Sequence, residues 1–362
     1  MSPLRMRPAE RPALAPVICR WDLDKTYLRS EFDSLRQLLR TAFERAEDKV
    51  DVPGVAELIK AIKKAAVRHG RTALVYFISA SPPQIGKAIR EKLVLDGIPY
   101  DGIVFKDQLA HLKRGKLRNL REHVGFKLVE LLRGRVDAPA EARELLFGDD
   151  WESDSLIYSL YADVLAGRLD VDRLVPILRR IGVDARLIDQ VVALVATAGR
   201  QDAVERIFIN LERRTPTGTF RLFGARVVPT FNYFQTAVVL AADGHLDVED
   251  VAAVARTLLD RSGYTGRRLE NSLGDLVRRT VVSLAAAERI GAALRVAGVL
   301  PTDTPARSRW RRMVDAFRRY RGRRRARRAA APAPRRAALD YDAILDRLRP
   351  TGREPSVEGR PT

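Results

Sequence analysis

The chain has 362 residues, 46% of them hydrophobic and 31% charged, which excludes a wholly disordered protein and is a length for about two domains. Its single cysteine, Cys19, excludes an internal disulfide, and no apolar run approaches the roughly 18–20 residues of a membrane span. Net charge is +19, and it is unevenly placed: between Arg307 and Arg336 fourteen arginines stand against one acid, Asp315.

Residues 1–16 carry arginines but no apolar core of a signal peptide, so they read as a flexible N-terminus and the protein is expected in the cytoplasm. Val17–Trp21 reads as a short buried strand ending in Asp22-Leu23-Asp24, with Cys19 as a small buried hydrophobe. Phe32, Leu35, Leu38, Leu39 and Phe43 fall at helix spacing. Pro53-Gly54 breaks that pattern and opens a second helix through Val55, Leu58, Ile59 and Ile62. The continuous apolar run Ala73–Ile78 has the character of a strand covered on both faces.

Ser81-Pro82-Pro83 then starts a helix running to Leu95, Gly102–Phe105 is a short strand, and a basic helix spans Leu109–Leu132. Glu144–Phe147 is a further strand, ending at Gly148-Asp149-Asp150. Such alternation predicts right-handed βαβ units in a doubly wound parallel sheet, whose ligands bind beyond the carboxyl ends of the strands. Three helices follow, Leu156–Leu165, Val171–Ile181 and Ala185–Ala198, the insert lying near 163–202, before the sheet resumes at Arg206–Leu211. The α/β core is thus expected over 17–215. A helical region over 216–300 comprises Asn232–Ala242, Val248–Leu259, Leu269–Leu284 and Ala286–Val296, with Asp247 and Asp250 forming a capping box. An Arg/Ala/Pro-rich tail, mostly disordered, is expected over 301–362.

Three of the strands end in residues that carry chemistry. Asp22 and Asp24 can both point into a pocket above the sheet, one as a nucleophile toward phosphorus and the other as a proton donor and acceptor. Ser79 can donate to a phosphoryl oxygen, and Ser81 is placed to cap a helix N-terminus that favours an anion. Asp149, Asp150, Glu152 and Asp154 crowd four carboxylates into six residues. Such a cluster needs a cation or water to relieve its repulsion, and hard oxygen donors suit Mg²⁺. Each motif alone also fits a solvated acidic loop or a simple cap; their order at successive strand ends favours chemistry.

Asp22-x-Asp24-x-Thr26, Ser79 and Gly148-Asp149-x₄-Asp154, in this order, resemble the motifs of the haloacid-dehalogenase superfamily of phosphatases. Val52-Pro53-Gly54, Phe77-Ile78-Ser79-Ala80-Ser81-Pro82 and Gly148-Asp149-Asp150 with Asp154 and Tyr158 are closer still to phosphatidate phosphatases of the App1 type and their bacterial relatives. The resemblance spans roughly 17–165, and Pro83 departs from the aromatic usual after Ser-Pro. It implies Asp22 as nucleophile and Mg²⁺ ligand, Asp24 as general acid/base with its carbonyl on the metal, Asp149 as a further ligand and Ser79 on the phosphoryl group. It also implies that Asp154 orients a lysine; Lys106, Lys113, Lys116 and Lys127 are candidates, with Lys127 favoured. Thr26, Ser81 and Asp150 would support the site.

The short spacing between motifs implies a core without a large cap, open to a phosphate on a bulky carrier such as a lipid. A phosphatase for a soluble or nucleic-acid phosphate, and a non-catalytic binding protein on the same fold, are the alternatives. Trp310, Met313, Val314, Phe317 and Tyr320 fall on one helical stripe among arginines, so 307–328 could also meet an anionic membrane from the cytoplasmic side. Docking of this stripe on the protein's own globular part, and nucleic acid drawn by the same charge, are the other readings of it.

Overall fold

The computed structural model describes residues 15–23, 26, 52–79, 86–105, 116–151, 153–302 and 338–348. Six parallel strands form one sheet: β1 (Val17–Asp22), β2 (Ala73–Ser79), β3 (Gly102–Phe105), β4 (Arg143–Asp149), β5 (Val204–Asn210) and β6 (Val227–Thr230). Their order is β3-β2-β1-β4-β5-β6, so the winding reverses between β1 and β4. The α/β class and the parallel sheet followed by helices agree with the sequence reading. The helix expected around Phe32–Phe43 and the arginine-rich 307–328 stripe lie outside the described residues.

Helices α1 (Val55–Arg68) and α2 (Gly86–Leu95) join the first three strands across one face. On the other face run α3 (Lys116–Val136), which leads into β4, and α4 (Asp154–Leu165), α5 (Val171–Ile181) and α6 (Ala185–Ala198), which carry the chain from β4 to β5. Alternate residues of each strand therefore feed two separate cores: Cys19, Trp21, Val75 and Phe147 on the first face, Ile78, Leu146, Ile207 and Ile209 on the second. The period-2 alternation is hidden in the sequence because both faces are apolar. Burial pushes the Cys19 thiol up to about 12, which leaves it unreactive.

The chain after β6 returns to the first face. Helices α7 (Tyr233–Ala242), α8 (Val248–Arg261), α9 (Gly266–Arg278) and α10 (Leu284–Val296) share one core with α1 and the sheet. The predicted capping box is present, with the Asp247 amide donating to Asp250 Oδ2 at 2.9 Å. The expected helix Leu269–Leu284 stops instead at Arg278. Thr280 turns left-handed (φ 61°), and Ser283 caps α10 by accepting the Ala286 amide. Within the stretch expected to be largely disordered, Tyr341–Leu348 forms a helix, α11, burying Tyr341, Ile344 and Leu345. The Tyr341 hydroxyl donates to Asp163 at 2.9 Å, and Arg180 of α5 pairs with Asp342 and Asp346.

Two polar clusters, one buried and one half-buried, hold strand to strand and strand to helix. Glu144 accepts from Arg20 (2.9 Å), Arg135 (3.4 Å) and the Tyr161 hydroxyl (2.9 Å), which gives a buried carboxylate the partners it needs. On neighbouring β5, Glu205 meets His245 at 2.7 Å and Arg143 at 2.9 Å, and these contacts hold its carboxyl at about 2. Its pKa is lowered on folding, so its stabilisation is present above the ordinary value of 4.5 and is lost as pH falls toward 2. Melting temperatures taken across that window are expected to fall less steeply for Glu205→Gln than for the parent. Parallel curves would mean that the cluster contributes nothing to acid sensitivity.

Candidate active site

The strand order reverses between β1 and β4, with α1 and α4 on opposite faces, and in such sheets ligands bind beyond the carboxyl ends of the strands at that switch point. Asp22 is the last residue of β1 and Asp149 the last of β4, so both stand at this switch point. The pairing of Trp21 with Phe147, continued one step, sets Asp22 beside Gly148 and leaves Asp149 one residue farther out. Below them the Trp21 and Phe147 rings stack at 3.8 Å with Phe208 5.2 Å beyond, a ladder across β1, β4 and β5 that fixes the strand ends. Such aromatic pairs add about 0.5–1.5 kcal/mol each beyond burial.

Lys127 reaches up from α3 and places Nζ 2.7 Å from Asp22 Oδ1 and 2.7 Å from Asp154 Oδ1. Asp154 opens α4, and its second oxygen accepts the Asp149 amide at 3.2 Å. Both of its oxygens are thus engaged in positioning neighbours. Room for this carboxylate comes from Gly148, where a Cβ would stand 2.6 Å from Asp154 Cβ. Asp149 Oδ1 accepts the Trp151 amide at 2.7 Å, which orients the carboxylate. Asp22, Asp149, Asp154 and Lys127 are all at most 1% exposed.

Two tyrosines brace the strand ends. Burial, with the negative charges of Glu212, Asp149 and Asp22, pushes the Tyr233 phenol well above its ordinary value, so it stays protonated; its hydroxyl donates a hydrogen bond to the Thr26 carbonyl at 2.6 Å. Thr26 in turn donates to Asp22 Oδ2 at 3.5 Å. Burial likewise raises Tyr158, with Asp154 next in weight, and its hydroxyl donates to the Phe147 carbonyl at 3.2 Å. Tyr233 was not legible as a site residue: it lies 207 residues from Thr26, and only packing of α7 against β1 joins them.

Of the residues singled out in the sequence, Asp22, Thr26, Lys127, Asp149 and Asp154 come together here, and Ser79 ends the neighbouring strand, fully buried, one residue past the partner of Asp22. Asp150 does not join the acids. Its carboxylate turns to the loop after β5 and accepts the amides of Arg213 (2.9 Å) and Thr215 (3.0 Å). The adjacent residue at an extended chain end points the opposite way, which separates Asp150 from Asp149. Asp24, Ser81, Lys106, Lys113 and Glu152 lie outside the described residues.

Asp22, Asp149 and Asp154 each offer an oxygen within 4.8 Å of the others, a donor set that can hold a metal ion and that suits a hard cation. Fold and site together define an α/β protein with a buried acidic centre at the switch point of its parallel sheet. Residues 17–171 match the family described as phosphatidate phosphatase APP1, catalytic domain, which bears out the resemblance carried by the motifs. The match runs from β1 to the first residue of α5; β5, β6 and the helices that follow lie beyond it. No curated protein and no solved structure matches the chain. Among the described residues no helix is long and apolar enough to cross a membrane.

Proposed function

We propose that the protein is a magnesium-dependent phosphohydrolase that works through a phospho-aspartyl intermediate on Asp22, with a lipid phosphate such as phosphatidate as substrate. The observation that carries this reading is the Lys127 ammonium held 2.7 Å from Asp22 by Asp154, at a strand end within the matched catalytic-domain span. An ammonium in that place can neutralise phosphoryl oxygens and let an anionic nucleophile approach an anionic substrate.

Asp22, Asp149 and the backbone carbonyl of Asp24 would hold the metal, while Asp154 serves to position Lys127. When bound, Mg²⁺ supplies charge neutralisation at the phosphoryl group. A carboxylate oxygen of Asp22 attacks phosphorus in line as the bond to the leaving oxygen breaks, and Asp24 protonates that oxygen. Asp24 then takes a proton from water, which attacks the phosphorus and releases Asp22 and inorganic phosphate. Ser79 donates to a phosphoryl oxygen throughout. The described chemistry ends at the phosphoryl group; the preference for a lipid carrier rests on the family match.

The test is a substrate panel with Mg²⁺: an aryl phosphate, phosphatidate in mixed micelles, nucleotides and a phosphorylated oligonucleotide. Phosphatidate is expected to be hydrolysed best, chelation to abolish turnover and Mg²⁺ to restore it. Asp149→Asn should raise the Mg²⁺ concentration for half-maximal activity by about tenfold or more. Turnover indifferent to chelation would overturn the metal assignment. A clear preference for nucleotides would replace the lipid reading.

A further inference from the structure

A lipid phosphate is held in its bilayer by its acyl chains, so the face that carries Asp22 has to meet that surface. Among the described residues, the exposed large hydrophobics include two aromatics, Trp151 (47% exposed) and Phe231 (45%), and the rest are aliphatic. Both aromatics sit on the catalytic side of the sheet. Trp151 follows the end of β4 by two residues, and Phe231 immediately follows β6. Each carries a guanidinium against its ring, Arg213 4.7 Å from the Trp151 centroid and Arg279 5.9 Å from that of Phe231. Tyr264, between α8 and α9, carries Arg268 at 4.7 Å in the same way.

Phe231 and Tyr264 also line a cavity of about 640 Å³ beyond the ends of β5 and β6, together with Lys60, Arg214 and Arg261. Arg256 lines it too, and the acids Glu57, Glu212 and Asp260 stand among these cations, so the lining carries four cations against three carboxylates. The loop bearing Arg213 and Arg214 is not loose. Asp150 clamps its amides, and Arg214 sits at φ 57°, a left-handed position that few residues other than glycine adopt. Half-exposed aromatics capped by arginines, with Arg213 and Arg214 on a fixed loop beside them, have the chemistry of a membrane interface: rings enter the headgroup boundary and cations meet anionic headgroups.

We infer that the carboxyl face of the sheet docks on an anionic bilayer through Trp151 and Phe231, with Arg213, Arg214 and Arg261 on the headgroups. This rests on the reading of the site as one for a lipid phosphate. It assigns docking to residues mostly beyond the matched catalytic span, and to other residues than the arginine-rich 307–328 stripe.

Flotation of the full chain with vesicles tests it, using phosphatidylcholine alone and phosphatidylcholine containing phosphatidate, in an Asp22→Asn background so that the lipid is not consumed. Binding is expected to the anionic vesicles, and Trp151→Ser with Phe231→Ser should weaken it by about tenfold or more. Phe231→Ser alone, with Asp22 intact, should weaken vesicle binding and leave aryl phosphate turnover unchanged, which separates docking from catalysis. Arg213→Glu with Arg214→Glu is an independent variant on an exposed loop, expected to lose anionic-vesicle binding while keeping aryl phosphate turnover. Trp151→Phe should retain binding. No vesicle binding by the parent, or binding that survives both pairs of substitutions, would overturn the inference. Failure to hydrolyse aryl phosphate would instead count against the phosphatase reading and leave the docking result to stand by itself.

Discussion

Asp22→Asn is expected to lower turnover of an aryl phosphate by at least about 10³-fold, the scale on which covalent nucleophiles count. The fold should survive, because the amide keeps the shape of the side chain and Lys127 retains Asp154 as a partner at 2.7 Å. Circular dichroism and a melting curve close to the parent's would separate lost chemistry from lost structure. Trapping with acid after brief exposure to labelled substrate should give a phosphorylated parent and an unlabelled variant. Parent-like turnover in Asp22→Asn would remove the nucleophile from Asp22 and with it the mechanism.

Gly148→Ala is expected to have the second largest effect, although glycine carries no reactive group. Its Cβ would stand 2.6 Å from Asp154 Cβ and 2.7 Å from Asp154 Cγ, closer than side-chain carbons approach. Gly148 lies inside β4 and Asp154 opens α4, so neither can move away without disturbing the sheet or a fully buried helix. Overpacking of this kind costs about 1–3 kcal/mol. Displacing Asp154 also displaces Lys127 and the Asp149 amide, and a shift of about 1 Å in such groups can cost on the order of 10²-fold in rate. Thermal melting and aryl phosphate turnover should therefore fall together. Adding Asp154→Gly to Gly148→Ala removes every Asp154 atom the new methyl would strike, so it should recover stability relative to the single variant without recovering activity. An alanine variant that matched the parent in both measurements would show that the carboxylate is not held as tightly as the geometry requires.

Much of the fold was written in local sequence. The apolar run at 73–78 had no polar alternation, which is the mark of a strand covered on both faces, and the short strand read at 17–21 lies beside it in the middle of the sheet. Helices α4, α5 and α6 stood out by their apolar spacing, and α5 and α6 begin at side-chain caps, Asp170 and Asp184. The acids at the strand ends were legible for the same reason: a carboxylate directly after a buried strand has one place to go, the carboxyl edge of the sheet.

Other features were decided by tertiary structure alone. β6 is four residues long and contains Pro229, which reads as a break; an edge strand accommodates it because one side of its backbone needs no partner in the sheet. Leu269–Leu284 kept an apolar pattern that local propensity could not interrupt, and the left-handed turn at Thr280 ends α9. Asp149 and Asp150 are indistinguishable in composition, yet the pleat sends one to the site and the other to the loop after β5. The contact of Tyr233 with Thr26, across 207 residues, has no local signature. Sequence by itself determined which residues can carry charge at the ends of buried strands, because burial and periodicity are local. Tertiary structure decided which of those charges meet, because that depends on strand order and on which way each side chain leaves the sheet.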